Sequence, residues 1–139
     1  MPAEDRVISL PYEKDPRAVA KIIASCDAFV HANDKEPFGL IVLEAMACGR
    51  PVVGVNAGGV AETVDSTVGQ LAASAEADDY AQAIEALFAR DIEAIGRAAR
   101  EKAVSRFAWN RVFEDLCMVY GELTGEAAFV QPEAAFAVH

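Results

Sequence analysis

A chain of 139 residues is one domain in size, long enough to bury about two-thirds of the surface that its unfolded form exposes. Hydrophobic residues make up 53 %, a composition that excludes a disordered chain and suits helices packed on a sheet. Acidic residues number 22 against 12 basic ones, and the net charge of −10 repels phosphate backbones and anionic lipid, so nucleic acid and membrane surface are excluded as partners of this domain.

A small anionic ligand stays open, because backbone amides bind phosphate without any net positive charge. The stretch from Met1 to Arg6 carries no apolar signal core, and no apolar run reaches the ~20 residues that span a bilayer. A cytoplasmic domain is expected. Cys26, Cys48 and Cys117 form no CxxC and have no histidine close by, so they read as reduced core thiols rather than a metal site.

In chain order, Val7 to Leu10 is a short apolar run ended by Pro11, which predicts a buried parallel strand. Asp15-Pro16 supplies a cap and a first-turn proline for a helix whose stripe is Val19, Ile22 and Ile23. Ala28 to Val30 reads as a second strand, leading into a polar loop from His31 to Lys35. Pro37 is expected to begin the next helix, which runs to about Cys48 and is stopped by Gly49. Pro51 precedes a third strand, Val52 to Val55, followed by the turn Asn56-Ala57-Gly58-Gly59. Val68 to Ala72 reads as a short last strand. Helical spacing then covers Asp78 to Arg90, Ile92 to Phe107 and Trp109 to Leu123, with Asp91 capping the middle one. Residues 125–139 show no period, which divides the chain into a domain, 1–124, and a tail, 125–139. The alternation argues an α/β fold: a Rossmann-like parallel sheet flanked by helices, with right-handed crossovers.

The run from Glu36 to Gly49 carries the chemistry. The helical neighbours of Glu44 are Leu40, Ile41, Ala47 and Cys48, none of them polar, so its carboxylate is at a boundary or buried. It serves either a structural hydrogen bond or a pair of ligand hydroxyls, since an ionised carboxylate accepts two hydrogen bonds. Glu36 stands immediately before the predicted helix. Eight positions separate it from Glu44, so 36, 40 and 44 are expected to share roughly one face, with ~12 Å of rise between the glutamates. Glycosidase carboxylates lie ~5–9.5 Å apart, so this spacing suits the two ends of an extended ligand better. Between them the amides of Phe38, Gly39 and Leu40 are expected to be free, a cradle for a diphosphate, with Gly39 either admitting the ligand or serving packing. His31 is either a general base or a strand-end histidine bonded to backbone. Gly58-Gly59 lacks the GxGxxG of dinucleotide binding. Cys48 is expected in the core, and Trp109 as the anchor of the last helix.

Glu36 and Glu44 with seven residues between them, Phe-Gly-Leu and Glu-Ala-Met-Ala inside and after that spacing, then Gly-Arg-Pro-Val-Val and Gly58-Gly59-Val-Ala-Glu62, resemble the retaining GT-B glycosyltransferases called family 4. The resemblance runs from about Val7 to Leu123. It implies the C-terminal, donor-binding half of a GT-B fold, truncated at its N-terminal edge. It further implies that Glu44 binds ribose hydroxyls of a nucleoside-diphosphate-sugar donor and that Glu36, the catalytic candidate, faces the transferred sugar near its reacting carbon. Amides of Phe38, Gly39 and Leu40 then meet the sugar and diphosphate, and Pro11 and Tyr12 match the region framing the base. Transfer of a hexose with retention, without a metal or other cofactor, is the implied reaction. The family's basic pair and its N-terminal acceptor-binding domain match nothing here, so the chain by itself is expected to be inactive. A nucleotide-binding regulatory module that works with a partner chain is the alternative.

Overall fold

The computed structural model describes residues 7–125, where three strands alternate with helices before a helical C-terminal stretch. In order these are α1 (Pro16–Ala24), β1 (Phe29–His31), α2 (Leu40–Ala47), β2 (Val52–Val55), α3 (Gly58–Thr63), β3 (Gly69–Ala72), α4 (Ala77–Phe88), α5 (Ile92–Phe107) and α6 (Trp109–Thr124). The strands form one parallel sheet in the order β1-β2-β3, with Phe29 opposite Val52 and Val52 opposite Gly69. This is the expected α/β architecture.

β2 sits in the middle and all four of its residues are buried. Strand alternation divides them between two cores. Val52 packs with Val42 and Met46 of α2, Val60 of α3 and Ala99 of α5. Val53 and Val55 pack with Tyr80, Ala83 and Leu87 of α4 and Ile95 of α5. A strand covered on both faces needs no polar residue, which is why Val52-Val-Gly-Val reads as a continuous apolar run. The caps behave as the sequence predicts: Asp15 accepts the Arg17 amide at 3.0 Å and Asp91 accepts the Ala94 amide at 2.9 Å. Gly49, at φ 73°, ends α2 in the left-handed region.

Several expectations need correcting. Val7 to Leu10 forms no strand; Val7 and Ile8 are 74 % and 84 % exposed. An apolar strand of this kind needs a paired neighbour and cover on both faces, and among the described residues β1 pairs with β2 alone. α2 starts at Leu40 rather than Pro37, because the chain turns through Gly39 at φ 83° before it can enter the helix. Gly58-Gly59 lies inside the short helix α3 and is not a bare turn. On α1 it is Ile23 that is buried, while Ile22 remains exposed and Cys26 is an exposed thiol rather than a core one. Cys48 is partly buried against the first core. Trp109 does not anchor α6: it is 69 % exposed and stacks on Phe113 of its own helix at 5.6 Å. The predicted tail, but for Gly125, lies outside the described residues. Among the described residues no helix is long and apolar enough to cross a membrane.

Candidate functional site

The loop from residue 32 to 39 leaves the carboxyl end of β1, the edge at which open α/β sheets bind their ligands. Glu36 lies in it, and its carboxylate is held from both sides. Oε1 accepts the Gly39 amide at 3.1 Å, and Oε2 accepts the Asn33 side-chain amide at 3.2 Å. Asn33 is itself fixed, since its Oδ1 accepts the Lys35 amide at 3.0 Å. The backbone of Glu36 is clasped too, because its carbonyl accepts the Gly59 amide at 3.0 Å.

That clasp explains the Gly-Gly pair. A Cβ on Gly58 would stand 2.5 Å from the Glu36 carbonyl oxygen, and one on Gly59 would stand 2.5 Å from the Pro37 carbonyl oxygen and 2.6 Å from Phe38 Cα. Gly58 also has φ 55°. Only residues without a side chain let α3 close on the loop that carries Glu36. From α4, the Tyr80 hydroxyl donates to the His31 carbonyl at 2.7 Å and fixes the end of β1. Burial pushes the Tyr80 phenol above its ordinary pKa, and the nearby Asp34 charge adds to the effect.

Beyond Glu36, the first amides of α2, Leu40 and Ile41, have no carbonyl one turn back. Those of Val42 and Leu43 both reach the Gly39 carbonyl, at 2.9 and 3.2 Å. The expected trio of free amides is therefore corrected: the Gly39 amide is spent on Glu36. Phe38 and Leu40 are exposed at the mouth, with Gly39 buried beneath them. Because Glu36 stands outside α2, the shared helical face predicted for the two glutamates is not formed; what joins them is the turn at Gly39.

Glu44 occupies the second turn of α2, exposed, on the wall of a cavity of about 300 Å³. The remaining wall is Lys14, Pro16, Val19, Ala20 and Ile23 from the α1 side, with Cys48. Glu44 makes no hydrogen bond or ion pair among the described residues, so its oxygens are not committed to the fold. Tyr12 is 88 % exposed, and neither it nor Pro11 lines this cavity. Their segment has no strand pairing to hold it on the rim.

A larger cavity, about 470 Å³, opens at the amino ends of the strands beside Asp27, Arg50, Glu93, Arg97 and Arg100. Arg50 donates to the Cys26 carbonyl at 2.8 Å and Arg100 donates to the Ala47 carbonyl, so both clamp the ends of α1 and α2. Glu36 and Glu44, the carboxylates singled out in the sequence, belong to neither clamp and stand away from this cavity. No three metal-ligating side chains cluster among the described residues. Sequence reasoning missed Asn33 and Tyr80 as supports of this edge. It saw Gly58-Gly59 without their partner, because that partner, Glu36, is 22 and 23 residues upstream in the loop that follows the neighbouring strand.

The sequence profile of the family described as glycosyl transferases group 1 matches residues 2–106. The D-inositol 3-phosphate glycosyltransferase of Mycobacteroides abscessus is 36 % identical over 118 residues, which cover 84 % of this chain and 26 % of that protein. The N-acetyl-alpha-D-glucosaminyl L-malate synthase of Bacillus anthracis is 32 % identical, over 84 % of this chain and 31 % of that one. Among solved structures, the sucrose-phosphate synthase of Thermosynechococcus elongatus superposes with a TM-score of 0.74 at 28 % identity, covering 84 % of this chain and 30 % of the other. Anabaena HepE in complex with UDP gives a TM-score of 0.66 at 30 % identity over 73 % of this chain and 29 % of that one, and its structure with UDP-glucose gives 0.64. The chain thus spans about a quarter of the length of the first of these relatives.

Proposed function

This chain belongs to the glycosyl transferases group 1 family, and from that premise we propose that it is the donor-binding half of a retaining enzyme that moves a hexose from a nucleoside-diphosphate sugar to an acceptor. The observation that carries the proposal is the arrangement around the start of α2. A carboxylate held ready by Gly39 and Asn33 stands on one side of unpaired amides, and an uncommitted carboxylate lines a cavity on the other. HepE, similar in fold, has been solved with UDP and with UDP-glucose, which supports a donor of that class.

In this reading Glu44 accepts hydrogen bonds from the ribose hydroxyls. A diphosphate lies against the Leu40 and Ile41 amides, where the positive end of the α2 dipole favours developing negative charge. Glu36 accepts from the sugar hydroxyls and favours the positive charge that grows at the reacting carbon as the nucleoside diphosphate departs. The incoming hydroxyl attacks the face from which the leaving group goes, with no metal taking part. Phe38 flanks the sugar, and Pro11 with Tyr12 closes over the base once the segment before α1 is held in place. An N-terminal domain supplies the acceptor site and the basic pair, and this chain alone does not turn over. The uncovered apolar side of α6, with Val112, Leu116, Val119 and Leu123 all exposed, supports such a partner. The domain works in the cytoplasm, where Cys26, Cys48 and Cys117 stay free thiols.

Calorimetric titration of UDP, GDP and ADP and of their hexose derivatives against the 139-residue chain tests the donor site. One base is expected to bind, weakly, and with it the matching sugar. Binding by none refutes the proposal. Restoring an N-terminal half should bring back transfer, with the product anomer retained by NMR, whereas transfer by the chain alone removes the inactive-half reading.

A further inference from the structure

One polar atom near Glu36 is left over by all of this hydrogen bonding. His31 ends β1, and its Nε2 lies 3.6 Å from Glu36 Oε2, outside hydrogen-bonding distance. It is the one buried side-chain nitrogen or oxygen without a partner among the described residues. The two side chains are only 16 % and 24 % exposed. Native proteins rarely leave such an atom unpaired, so an orphan one contact away from a functional carboxylate calls for a reason.

The ring is not free to look elsewhere. Phe29, two residues back on the strand, stacks on it with centroids 6.2 Å apart and planes 15° apart, and Tyr80 holds the His31 carbonyl. On the other side Gly39 and Asn33 fix the carboxylate. Nor can His31 act as a general base on an incoming acceptor: Nε2 is buried behind Glu36 and meets no solvent. What it can reach is Oε2.

We propose that His31 is a positioning residue for Glu36, whose Nε2–H closes onto Oε2 when the transferred sugar covers the carboxylate. The proposal rests on the reading of Glu36 as the sugar-facing group. Before the ligand arrives, water reaches the Glu36 carboxylate, which is 24 % exposed, and weakens its pull on the buried Nε2. A bound sugar expels that water, and in the lower dielectric a donor against a carboxylate gains strength. Three donors then define the carboxylate plane, Gly39 on Oε1 and Asn33 with His31 on Oε2, and the outward lone pairs are aimed at the sugar hydroxyls. The nucleotide, on the Glu44 side, does not feel this contact.

The test uses the 139-residue chain with UDP and UDP-glucose as probes. His31→Leu removes the donor at similar volume, and His31→Gln returns an amide donor near the Nε2 position. UDP affinity should be the same in all three proteins. UDP-glucose affinity should fall roughly tenfold in His31→Leu and recover in His31→Gln, the size expected for one hydrogen bond to a charged group. The chain holds two histidines, His31 and His139, so their ring ¹⁵N signals can be separated. UDP-glucose should move the His31 Nε2 signal, UDP alone should not, and Glu36→Gln should abolish the movement. Unchanged UDP-glucose affinity in His31→Leu, or equal losses for UDP and UDP-glucose, overturns the proposal. If His31→Leu does not fold, the sugar-dependent ring signal decides by itself. A wild-type chain that binds neither probe overturns the donor site for this nucleotide and the present proposal with it; one that binds both without the ring signal moving overturns the role of His31 alone.

Discussion

Gly59→Ala probes the joint on which the Glu36 loop depends. The new Cβ would stand 2.5 Å from the Pro37 carbonyl oxygen, 2.6 Å from Phe38 Cα and 2.9 Å from Phe38 N, all backbone atoms that no rotamer change can move. Carbon contacts are comfortable near 3.5 Å, so α3 and the loop must part by about 1 Å. That separation strains or breaks the 3.0 Å bond from the Gly59 amide to the Glu36 carbonyl. Overpacking costs about 1–3 kcal/mol and the buried hydrogen bond roughly 1 more, giving a loss of about 2–4 kcal/mol. For a domain of this size the melting temperature should drop by roughly 6–12 °C. Urea unfolding and thermal melting followed by circular dichroism measure it, with Gly125→Ala as the control. Gly125 has φ 70° and nothing within 4 Å, so its Cβ meets backbone strain but no neighbour, at about 1 kcal/mol. If Gly59→Ala proves no worse than Gly125→Ala, the close packing of α3 on the loop is wrong, and so is the explanation of the Gly-Gly pair.

Glu44→Gln should weaken nucleoside-diphosphate binding by about 1–3 kcal/mol in calorimetry and leave thermal stability unchanged, since the carboxylate makes no internal bond. Equal affinities would return Glu44 to a purely surface role. Asp65 bonds Lys102 at 2.7 Å, and that contact, helped by Thr67, lowers its carboxyl from 3.8 to about 2. A lowered folded value means that the pair stabilises fully above the unfolded pKa and that the gain fades as pH falls from about 4 toward 2. Asp65→Asn should flatten that acid limb of the stability curve at a cost near pH 7 of about 0.5–1 kcal/mol, small because the carboxylate is half-exposed. Leu87→Ala, at a fully buried position of α4, should cost about 2–5 kcal/mol in urea unfolding, and a cost below 1 would mean that the second core is loose.

Much of the fold was legible because local rules govern it. Asp15 and Asp91 mark helix starts through bonds to amides two and three residues away, and α5 spans Ile92–Phe107 as the spacing predicts. Val52 to Val55 was legible as a strand after Pro51, and the structure buries all four of its residues. The same local rules misled at Val7 to Leu10, where the pattern promises a buried strand and the described residues provide nothing to bury it. They also placed the start of α2 three residues early, since Pro37 suits a first turn by itself but the Glu36–Gly39 contact claims those residues.

Family membership was written in residue types and spacing, because the motif of a loop and its helix lies within one short segment. Which atoms meet Glu36 was not. Gly59 and His31 arrive from different elements, and the bond from Tyr80 that fixes the His31 backbone closes over 49 residues. Contacts of that range depend on how helices and sheet pack, and packing leaves no period in the chain. The sequence by itself determined the family and the α/β class; the tertiary structure decided how the Glu36 carboxylate is held, through close approaches that only the assembled layers create.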